Sequence, residues 1–357
     1  MIDSYVSQIF KFSGAGNDFV VLDGRWGGME PFREPVRIGQ LCKQYHTDGL
    51  MILTSPGRVQ TAESLQEKIA DQVGNDGGAG NVGLVMADGD QPSQYDFVME
   101  FYNPDGSGGM MCGNGGRCIV AFADYLGIRP ADGTTYRFLA PDGGHTAEIW
   151  SQEIPGQAGN DGGAGNDERV VADSDRPSHP TWTVRLKMID VHGITPMKDG
   201  YFLNTGTRHL VRFVPEVDGL DMEIDAKPLR WDPAFQPEGT NVNFVEVRSD
   251  GLHVRTFEKG VEGETLACGT GLTASALAAF KAGIPSAGQI PGQAGNNETA
   301  QAGNDGECHG RHQSAISYRL QCRRGDWLQV CFRPGPDDRF TEVYLTGPAE
   351  LVAVNPL

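Results

Sequence analysis

Two segments of this 357-residue chain match each other closely, and each predicts a helix that begins directly after a cysteine. CGNGGRCIVAFADYLGI (112–128) and CGTGLTASALAAFKAGI (268–284) align without a gap. In both, a glycine-rich turn precedes about twelve residues with small or apolar side chains at helical spacing, and a glycine followed by a nearby proline marks the end. The match predicts a duplicated fold with one central helix in each half.

The position of the two cysteines indicates what chemistry they could perform. A sulfur at the start of a helix faces unpaired backbone N–H groups, which lower the pKa of a thiol and also bind an anion such as a carboxylate. A single cysteine at a turn is more often a small buried side chain, but a second copy favours a shared task. Two thiols on opposite faces of one carbon can remove and return a proton, as inversion of a stereocentre requires without a cofactor. A redox dithiol is the poorer interpretation, because 268 − 112 = 156 residues separate the cysteines and Cys-x-x-Cys is absent.

Length, charge and hydropathy limit the class of protein. The chain is long enough for two domains of ordinary size. Its 29 basic and 47 acidic residues give a net charge of −18, which argues against nucleic acid and anionic membranes as partners and favours a small polar substrate. No apolar run reaches the roughly 18 residues of a spanning helix, and the N-terminus lacks a signal-peptide pattern. We therefore expect a soluble, cytoplasmic protein with reduced thiols.

Three glycine- and asparagine-rich stretches differ from the rest of the chain and repeat nearly word for word. They are QVGNDGGAGN (72–81), IPGQAGNDGGAGND (154–167) and IPGQAGNNETAQAGNDGE (290–307). Because they lack periodic apolar residues, we expect insertions at surface loops, within wider regions of about 56–93, 151–178 and 286–315. The string CHGRH (308–312) lies beside the third stretch and lacks a complete four-ligand set, so no metal site is predicted.

Between these stretches the sequence is mostly strand-like, with β-branched and aromatic residues in short runs. A weaker helix is predicted over 35–45. Many strands with one buried helix in each half indicate an α+β protein of two pseudo-symmetric domains, each a curled, mostly antiparallel sheet around a central helix. We place the first domain at 1–130 together with a C-terminal strand at 349–357, and the second at 131–348.

Four segments, in this order, resemble the signature blocks of the diaminopimelate epimerase family. They are FSGAGNDFVVLDG (12–24), FYNPDGSGGMMCGNGGRC (101–118), GTNVNFVEV (239–247) and FEKGVEGETLACGTG (257–271). The resemblance covers essentially the whole chain outside the three stretches. It implies interconversion of LL- and meso-diaminopimelate, a step toward lysine and peptidoglycan, without pyridoxal phosphate or a metal. It also implies a closed cleft between the two domains and a homodimer.

The resemblance assigns roles to individual positions. Cys112 and Cys268 match the acid/base pair, and the bound stereoisomer decides which one deprotonates. The backbone N–H groups of Gly113, Asn114, Gly269 and Thr270 would hold the carboxylate of the reacting centre. The remaining matched positions are the substrate-binding Asn17, Asn103 and Asn241, the acidic Glu258 beside the substrate ammonium, and His209 near the catalytic centre.

Some positions depart from the family pattern and concern the distal end of the substrate. Thr207 and Arg208 stand where the family usually has asparagine and proline, so a hydroxyl replaces an amide. Lys259 stands where the family mostly has arginine, which keeps the charge but loses the bidentate geometry. The retained asparagines and Lys259 favour a substrate with a charged distal end. Two alternatives are a racemase or epimerase of another amino acid, such as a proline derivative, and an inactive relic with accumulated insertions.

Overall fold

The computed structural model describes residues 8–58, 92–108, 112–153, 179–286 and 315–356. The stretches 72–81, 154–167 and 290–307 and the string 308–312 lie outside these residues, so the expectations placed on them are untested. The α-helices of the described residues are α1 Pro35–Tyr45, α2 Gly113–Tyr125, α3 Met222–Asp225, α4 Lys227–Arg230 and α5 Gly269–Lys281. The strands of the described residues are β1 Gln8–Gly14, β2 Asn17–Asp23, β3 Gly49–Thr54, β4 Phe97–Tyr102, β5 Thr135–Ala140, β6 Gly143–Glu153, β7 Thr181–Lys187, β8 Val191–His192, β9 Thr195–Met197, β10 Gly200–Asn204, β11 Arg208–Phe213, β12 Asn241–Arg248, β13 Gly251–Glu258, β14 Gly263–Thr265, β15 Ile316–Gln321, β16 Trp327–Pro334 and β17 Arg339–Pro356.

The two helices predicted from the repeated segments, α2 and α5, are the central helices of the fold. Almost every residue of both is buried, as the small and apolar side chains require. Each helix is followed by a glycine in the left-handed region, Gly127 at φ 77° and Gly283 at φ 72°, where a side chain would be strained. The predicted helix starts and ends are confirmed.

The first half of the molecule is a ring of strands around α2. Hydrogen bonds join β1 to β2, β2 to β3, β3 to β4, β4 to β5, β5 to β6 and β6 to β7. The second part of β17 pairs with β7 on one side and with β1 on the other, which closes the ring. Inside it, the Phe122 ring on α2 lies 4.9 Å from that of Phe10 and 5.7 Å from that of Phe12, between ring centroids.

The second half repeats this arrangement around α5. Its strands pair in the order β9, β10, β11, β12, β13, β15, β16, β17 and β8. The parallel pairs match between the halves: β2–β3 corresponds to β11–β12, and β4–β5, which flank α2, correspond to β13–β15, which flank α5. The repeated order of strands supports the duplication predicted from the two cysteine segments.

The two halves exchange strands. The chain crosses from the first ring to the second between β7 and β8, and β17 crosses back. Residues 350–356 pair with β1. β5, β6 and β7, which follow the expected boundary at 130/131, pair within the first ring. The turn at Gly127 ends α2, but three more strands complete the ring after it.

Two further expectations concern the state of the cysteines and the absence of a membrane-spanning helix. Cys42, Cys112, Cys118, Cys268 and Cys322 carry free thiols, whereas Cys331 is disulfide-bonded, so the expectation of reduced thiols is wrong there. Within the described ranges, no helix has the length and apolar character needed to cross a membrane.

Candidate active site

The N-termini of α2 and α5 meet, and each is preceded by its cysteine. A Cβ added to Gly113 would lie 3.7 Å from the Cα of Gly269, so the first residues of the two helices are in near contact. Cys112 and Cys268 are the N-cap residues, both with extended backbone, and neither side chain caps its helix. The structure therefore brings the two predicted thiols to one junction between the rings.

Burial dominates the electrostatics of both thiols. It raises the pKa of Cys112 and raises that of Cys268 well above its ordinary value, because a thiolate loses its hydration. Backbone N–H groups of Gly115 and Asn114 act against this at Cys112, but they do not overcome it. At Cys268 the charge of Glu258 adds to the rise. The expected lowering of the thiol pKa at a helix start is thus outweighed by desolvation.

Glu258, at the end of β13, places a carboxyl group beside Cys268. Thr265 Oγ1 donates a 2.6 Å hydrogen bond to Glu258 Oε1. Burial raises the pKa of Glu258, while its hydrogen bonds with the side chains of Thr265 and Cys268 lower it. The predicted acidic residue therefore lies beside one of the two thiols.

His209 on β11 is fully buried and acts as a neutral hydrogen-bonding group. Asn243 Nδ2 donates to His209 Nδ1 at 3.0 Å, which places the ring proton on Nε2. Nε2 lies 2.9 Å from Thr207 Oγ1 and 3.0 Å from Thr270 Oγ1, and Thr270 Oγ1 lies 3.4 Å from Cys268 Sγ. Burial lowers the pKa of His209 to about 3. His209 therefore orients Thr270 beside Cys268 and is not a base near neutral pH.

Asn241 and Lys259 lie together at the edge of the site. Asn241 Nδ2 donates to Thr207 Oγ1 at 3.2 Å, and the backbone N–H of Lys259 donates to Asn241 Oδ1 at 2.8 Å. The Lys259 ammonium donates to the backbone oxygen of Glu238 at 2.9 Å, and the Glu238 carboxylate pairs with Arg208 at 2.6 Å. The two cations that depart from the family pattern are thus both held at Glu238.

Asn17 and Asn114 form a direct link between the β1–β2 turn and α2. Asn114 Nδ2 donates to Asn17 Oδ1 at 2.6 Å, and Asn114 is fully buried. Arg117, fully buried one turn further along α2, donates from Nη2 to Asn114 Oδ1 at 2.9 Å. Asn17 therefore lies next to the helix that carries Cys112.

Asn103 is placed in the turn that follows β4. Its Nδ2 donates to Ser107 Oγ at 3.0 Å, and its backbone N–H donates to Ser107 O at 2.8 Å. Among the described residues these bonds tie Asn103 to its own turn rather than to the two cysteines. Substrate binding by Asn103 remains a prediction.

Three residues of the site were not singled out from the sequence. Asn243 holds His209, Thr205 Oγ1 donates to Thr270 O at 2.9 Å, and Arg117 holds Asn114. Asn243 could have been found, because strand alternation places it on the same face of β12 as Asn241. Thr205 carries no such signal, because its partner Thr270 is distant in sequence. Arg117 follows Asn114 and Gly113 at helical spacing, so its place on the same face of α2 could have been expected.

Solved structures of low sequence identity share the fold. A phenazine biosynthesis protein of the PhzF family from Bacillus anthracis aligns over 99% of both chains with a TM-score of 0.56 at 8% identity. A hydroxyproline epimerase from Agrobacterium vitis aligns over 100% of this chain and 94% of that one with a TM-score of 0.51 at 11% identity. These likenesses confirm the predicted α+β fold and nothing beyond it.

Sequence relatives identify the family. Residues 201–308 match the family described as diaminopimelate epimerase. A diaminopimelate epimerase from Chlorobaculum tepidum is 32% identical over 352 residues, which cover 95% of this chain and 97% of that protein. One from Aquifex aeolicus is 33% identical over 278 residues, covering 78% of this chain and 82% of that protein. The chain belongs to the diaminopimelate epimerase family.

Proposed function

We propose that this protein interconverts LL- and meso-diaminopimelate by moving a proton between Cys112, the substrate Cα and Cys268. The observation that carries the proposal is the meeting of two helix N-termini, each with a free cysteine at its N-cap. Relatives named diaminopimelate epimerase over nearly the whole chain support the choice of substrate.

The proposed cycle begins when one of the two thiols is ionised and the other keeps its proton. A charge on Cys112 raises the pKa of Cys268, so ionisation of Cys112 opposes ionisation of Cys268. The thiolate sulfur forms an S–H bond with the Cα proton as the C–H bond breaks, and the electron pair passes to Cα and its carboxylate. The opposite thiol then gives its proton to the other face of Cα and becomes the thiolate. Atoms and charge balance, and the next turnover can run in reverse.

The helix starts supply the stabilisation for the charge that develops. The first backbone N–H groups of the two helices, at Gly113, Asn114, Gly269 and Thr270, lie next to the two thiols at this junction. Two helix dipoles point at the same place, and donors fixed before reaction are the strongest single means of stabilising an anionic transition state. The reacting carboxylate is the group that fits there.

The remaining predicted residues fit the rest of the substrate. The Glu258 carboxyl group beside Cys268 would bind the ammonium of the reacting centre. Asn17, Asn241 and Thr207 present amide and hydroxyl groups near the thiols, and Asn103 and Lys259 remain candidates for the distal amino-acid group. Polar groups matched to a zwitterion at both ends would reject substrates that lack the distal end.

The cellular setting is also a proposal. A net charge of −18 supports a small-molecule substrate without nucleic-acid or membrane partners, and a precursor of lysine and peptidoglycan supports a cytoplasmic location. A homodimer and a reaction without any cofactor follow from the family resemblance. Sedimentation of the purified protein measures the assembly directly.

A coupled turnover assay with LL-diaminopimelate tests the proposal. The wild-type protein should form the meso isomer, and Cys112→Ala and Cys268→Ala should each lose at least ~10²–10⁴-fold in kcat, the contribution usual for one general acid or base. Cys42→Ala is the control, because Cys42 is also a buried free thiol but packs in a separate core cluster. Wild-type turnover of proline or lysine at rates equal to that of diaminopimelate would overturn the substrate assignment.

A further inference from the structure

Two threonine hydroxyls lie between Asn241, at the edge of the site, and the second thiol. Thr207 Oγ1 is 3.2 Å from Thr270 Oγ1, and Thr270 Oγ1 is 3.4 Å from Cys268 Sγ. On the other side, Asn241 Nδ2 lies 3.2 Å from Thr207 Oγ1. Because a hydroxyl can donate or accept, neighbours with fixed roles decide the direction of these bonds.

The backbone N–H of Lys259 fixes the role of Asn241. This group can only donate, and its acceptor is Asn241 Oδ1 at 2.8 Å. The amide nitrogen of Asn241 therefore faces Thr207 and donates to its hydroxyl oxygen. Thr207 thus receives a hydrogen at Oγ1 and keeps its own proton for another acceptor.

His209 cannot be that acceptor. Asn243 Nδ2 donates to Leu210 O at 3.2 Å, a group that can only accept, so the same nitrogen donates to His209 Nδ1 at 3.0 Å. The ring proton of His209 then lies on Nε2, which is 2.9 Å from Thr207 Oγ1 and 3.0 Å from Thr270 Oγ1. Nε2 is therefore a donor that the two hydroxyl oxygens share.

These fixed roles leave one direction for the hydroxyl protons. Among the described residues, the acceptor within reach of the Thr207 proton is Thr270 Oγ1. Thr270 Oγ1 then accepts hydrogens from Thr207 and His209, and its own proton is left for Cys268 Sγ. The reverse direction would leave the Thr207 proton without an acceptor in the described part of the chain, which is costly in a partly buried site.

The equivalent position in the first segment is used differently. The gapless alignment of the two segments pairs Thr270 with Asn114. Asn114 Oδ1 accepts from Arg117 Nη2 at 2.9 Å, and Asn114 Nδ2 donates to Asn17 Oδ1 at 2.6 Å. This amide is committed to other partners, whereas the Thr270 hydroxyl is turned toward the thiol of its own segment.

The charges around Cys268 give such a donor a task. Glu258 on β13 and Cys112 at the start of α2 face Cys268, and a charge on either opposes its ionisation. His209 on β11 is neutral near pH 7 and supplies no compensating positive charge. Hydrogen bonds from the Thr270 side chain and from the backbone of Gly271 favour the thiolate.

We propose that Thr207 and Thr270 form a directed relay that aims a hydroxyl proton at Cys268 Sγ, with Thr207 as the positioning residue of the Thr270 hydroxyl. When Cys268 gives its proton to the substrate Cα, the electron pair of the S–H bond stays on Sγ. A donor that already points at Sγ stabilises this charge without reorientation. The inference rests on the proposed two-thiol function, because the charge belongs to that reaction.

The pH dependence of iodoacetamide alkylation at each cysteine, mapped by mass spectrometry on the full-length protein, tests the proposal. In Thr270→Val, which keeps the shape but loses the hydroxyl, the Cys268 midpoint should rise by about one pH unit, and the Cys112 midpoint should move less. In Thr207→Val the Cys268 midpoint should rise by a smaller amount. Thr270→Ser and Thr207→Ser keep the hydroxyls and should stay near the wild-type midpoint.

Thr273→Val is the matched control. Thr273 is a buried threonine one turn further along α5, and its hydroxyl donates to Gly269 O at 2.9 Å instead of to the relay. Its replacement should leave the Cys268 midpoint in place. A shift as large as that of Thr270→Val would show that any buried hydroxyl of α5 has this effect and would overturn the proposal.

The other outcomes also decide. An unchanged Cys268 midpoint in Thr270→Val, or equal rises at both cysteines, would overturn the donor at Sγ, and an unchanged midpoint in Thr207→Val would remove Thr207 from the relay. If a valine variant does not fold, alanine at the same position makes the same comparison with serine. Alkylation needs no turnover, so the expected midpoints in a protein that does not epimerise diaminopimelate would refute the proposed function alone.

Discussion

Gly271, the third residue of α5, leaves no room for even the smallest side chain. A Cβ added there would approach Asn243 Oδ1 closer than 3.0 Å, a separation that real Cβ atoms essentially never show, and would lie 3.3 Å from Thr256 Oγ1. Asn243 cannot yield easily, because its amide donates to His209 Nδ1 and accepts from Thr256 Oγ1, both at 3.0 Å. Gly271→Ala must therefore break this buried network or displace α5.

The expected magnitude follows from opposing contributions. Overpacking a core costs about 1–3 kcal/mol, and leaving a buried polar group without its partner costs about 1–3 kcal/mol more. Alanine in place of glycine regains only about 0.5–1 kcal/mol of backbone entropy. The free energy of unfolding should fall by about 1–5 kcal/mol. Displacement of His209 and Thr270 should also lower kcat, by about 10²-fold for a shift on the order of 1 Å.

Gly115→Ala is the matched control, because Gly115 holds the same position in the first segment. Its added Cβ would lie 3.3 Å from Met51 Sδ and 3.5 Å from Met99 Cε, the ends of flexible side chains that can adapt. Urea unfolding followed by tryptophan fluorescence should show little loss of stability in Gly115→Ala and a clear loss in Gly271→Ala. Equal stability of the two variants would refute the reasoning.

Three further expectations follow from the site. Burial lowers the pKa of His209 to about 3 from 6.5, so its NMR resonance, assigned with His209→Gln, should not titrate between about pH 5 and 8. The unfolded chain takes up a proton on His209 near pH 6.5, whereas the folded chain takes it up only at about pH 3. The free energy of unfolding should therefore decrease as the pH falls from 6.5 towards 3. Air oxidation should inactivate the enzyme with a Cys112–Cys268 disulfide that dithiothreitol reverses; an inactive form with only other pairings would show that the sulfurs are not adjacent. Lys259→Met should lower kcat/KM for diaminopimelate while barely changing the residual rate with lysine, which lacks the distal carboxylate; equal losses would remove Lys259 from substrate binding.

Local features of the sequence predicted the central helices and their ends. The glycine turns before α2 and α5 and the glycines at Gly127 and Gly283 act within a few residues, so their pattern is legible without the fold. The second copy of the segment indicated the meeting of the two thiols, because equivalent positions in a duplicated fold lie at equivalent places.

Properties that depend on distant residues could not be predicted in the same way. The sequence indicated a C-terminal strand at 349–357, whereas β17 begins at Arg339 and continues through Gly347 and Pro348, because β7 and β1 pair with its second part. The thiol pKa was expected to fall on the local evidence of a helix start, but burial by both rings raises it. Arg117 looked like an ordinary motif residue until its burial was known.

The transfer of a proton through two thiols is tested most directly by the isotope at Cα. When LL-diaminopimelate turns over in D₂O, the account predicts that the inverted product carries deuterium from the opposite thiol, while unreacted substrate recovered early keeps its original hydrogen. NMR or mass spectrometry measures both pools in one sample. An inverted product that retains the substrate's own hydrogen would contradict the account, because one group would then both remove and return the proton.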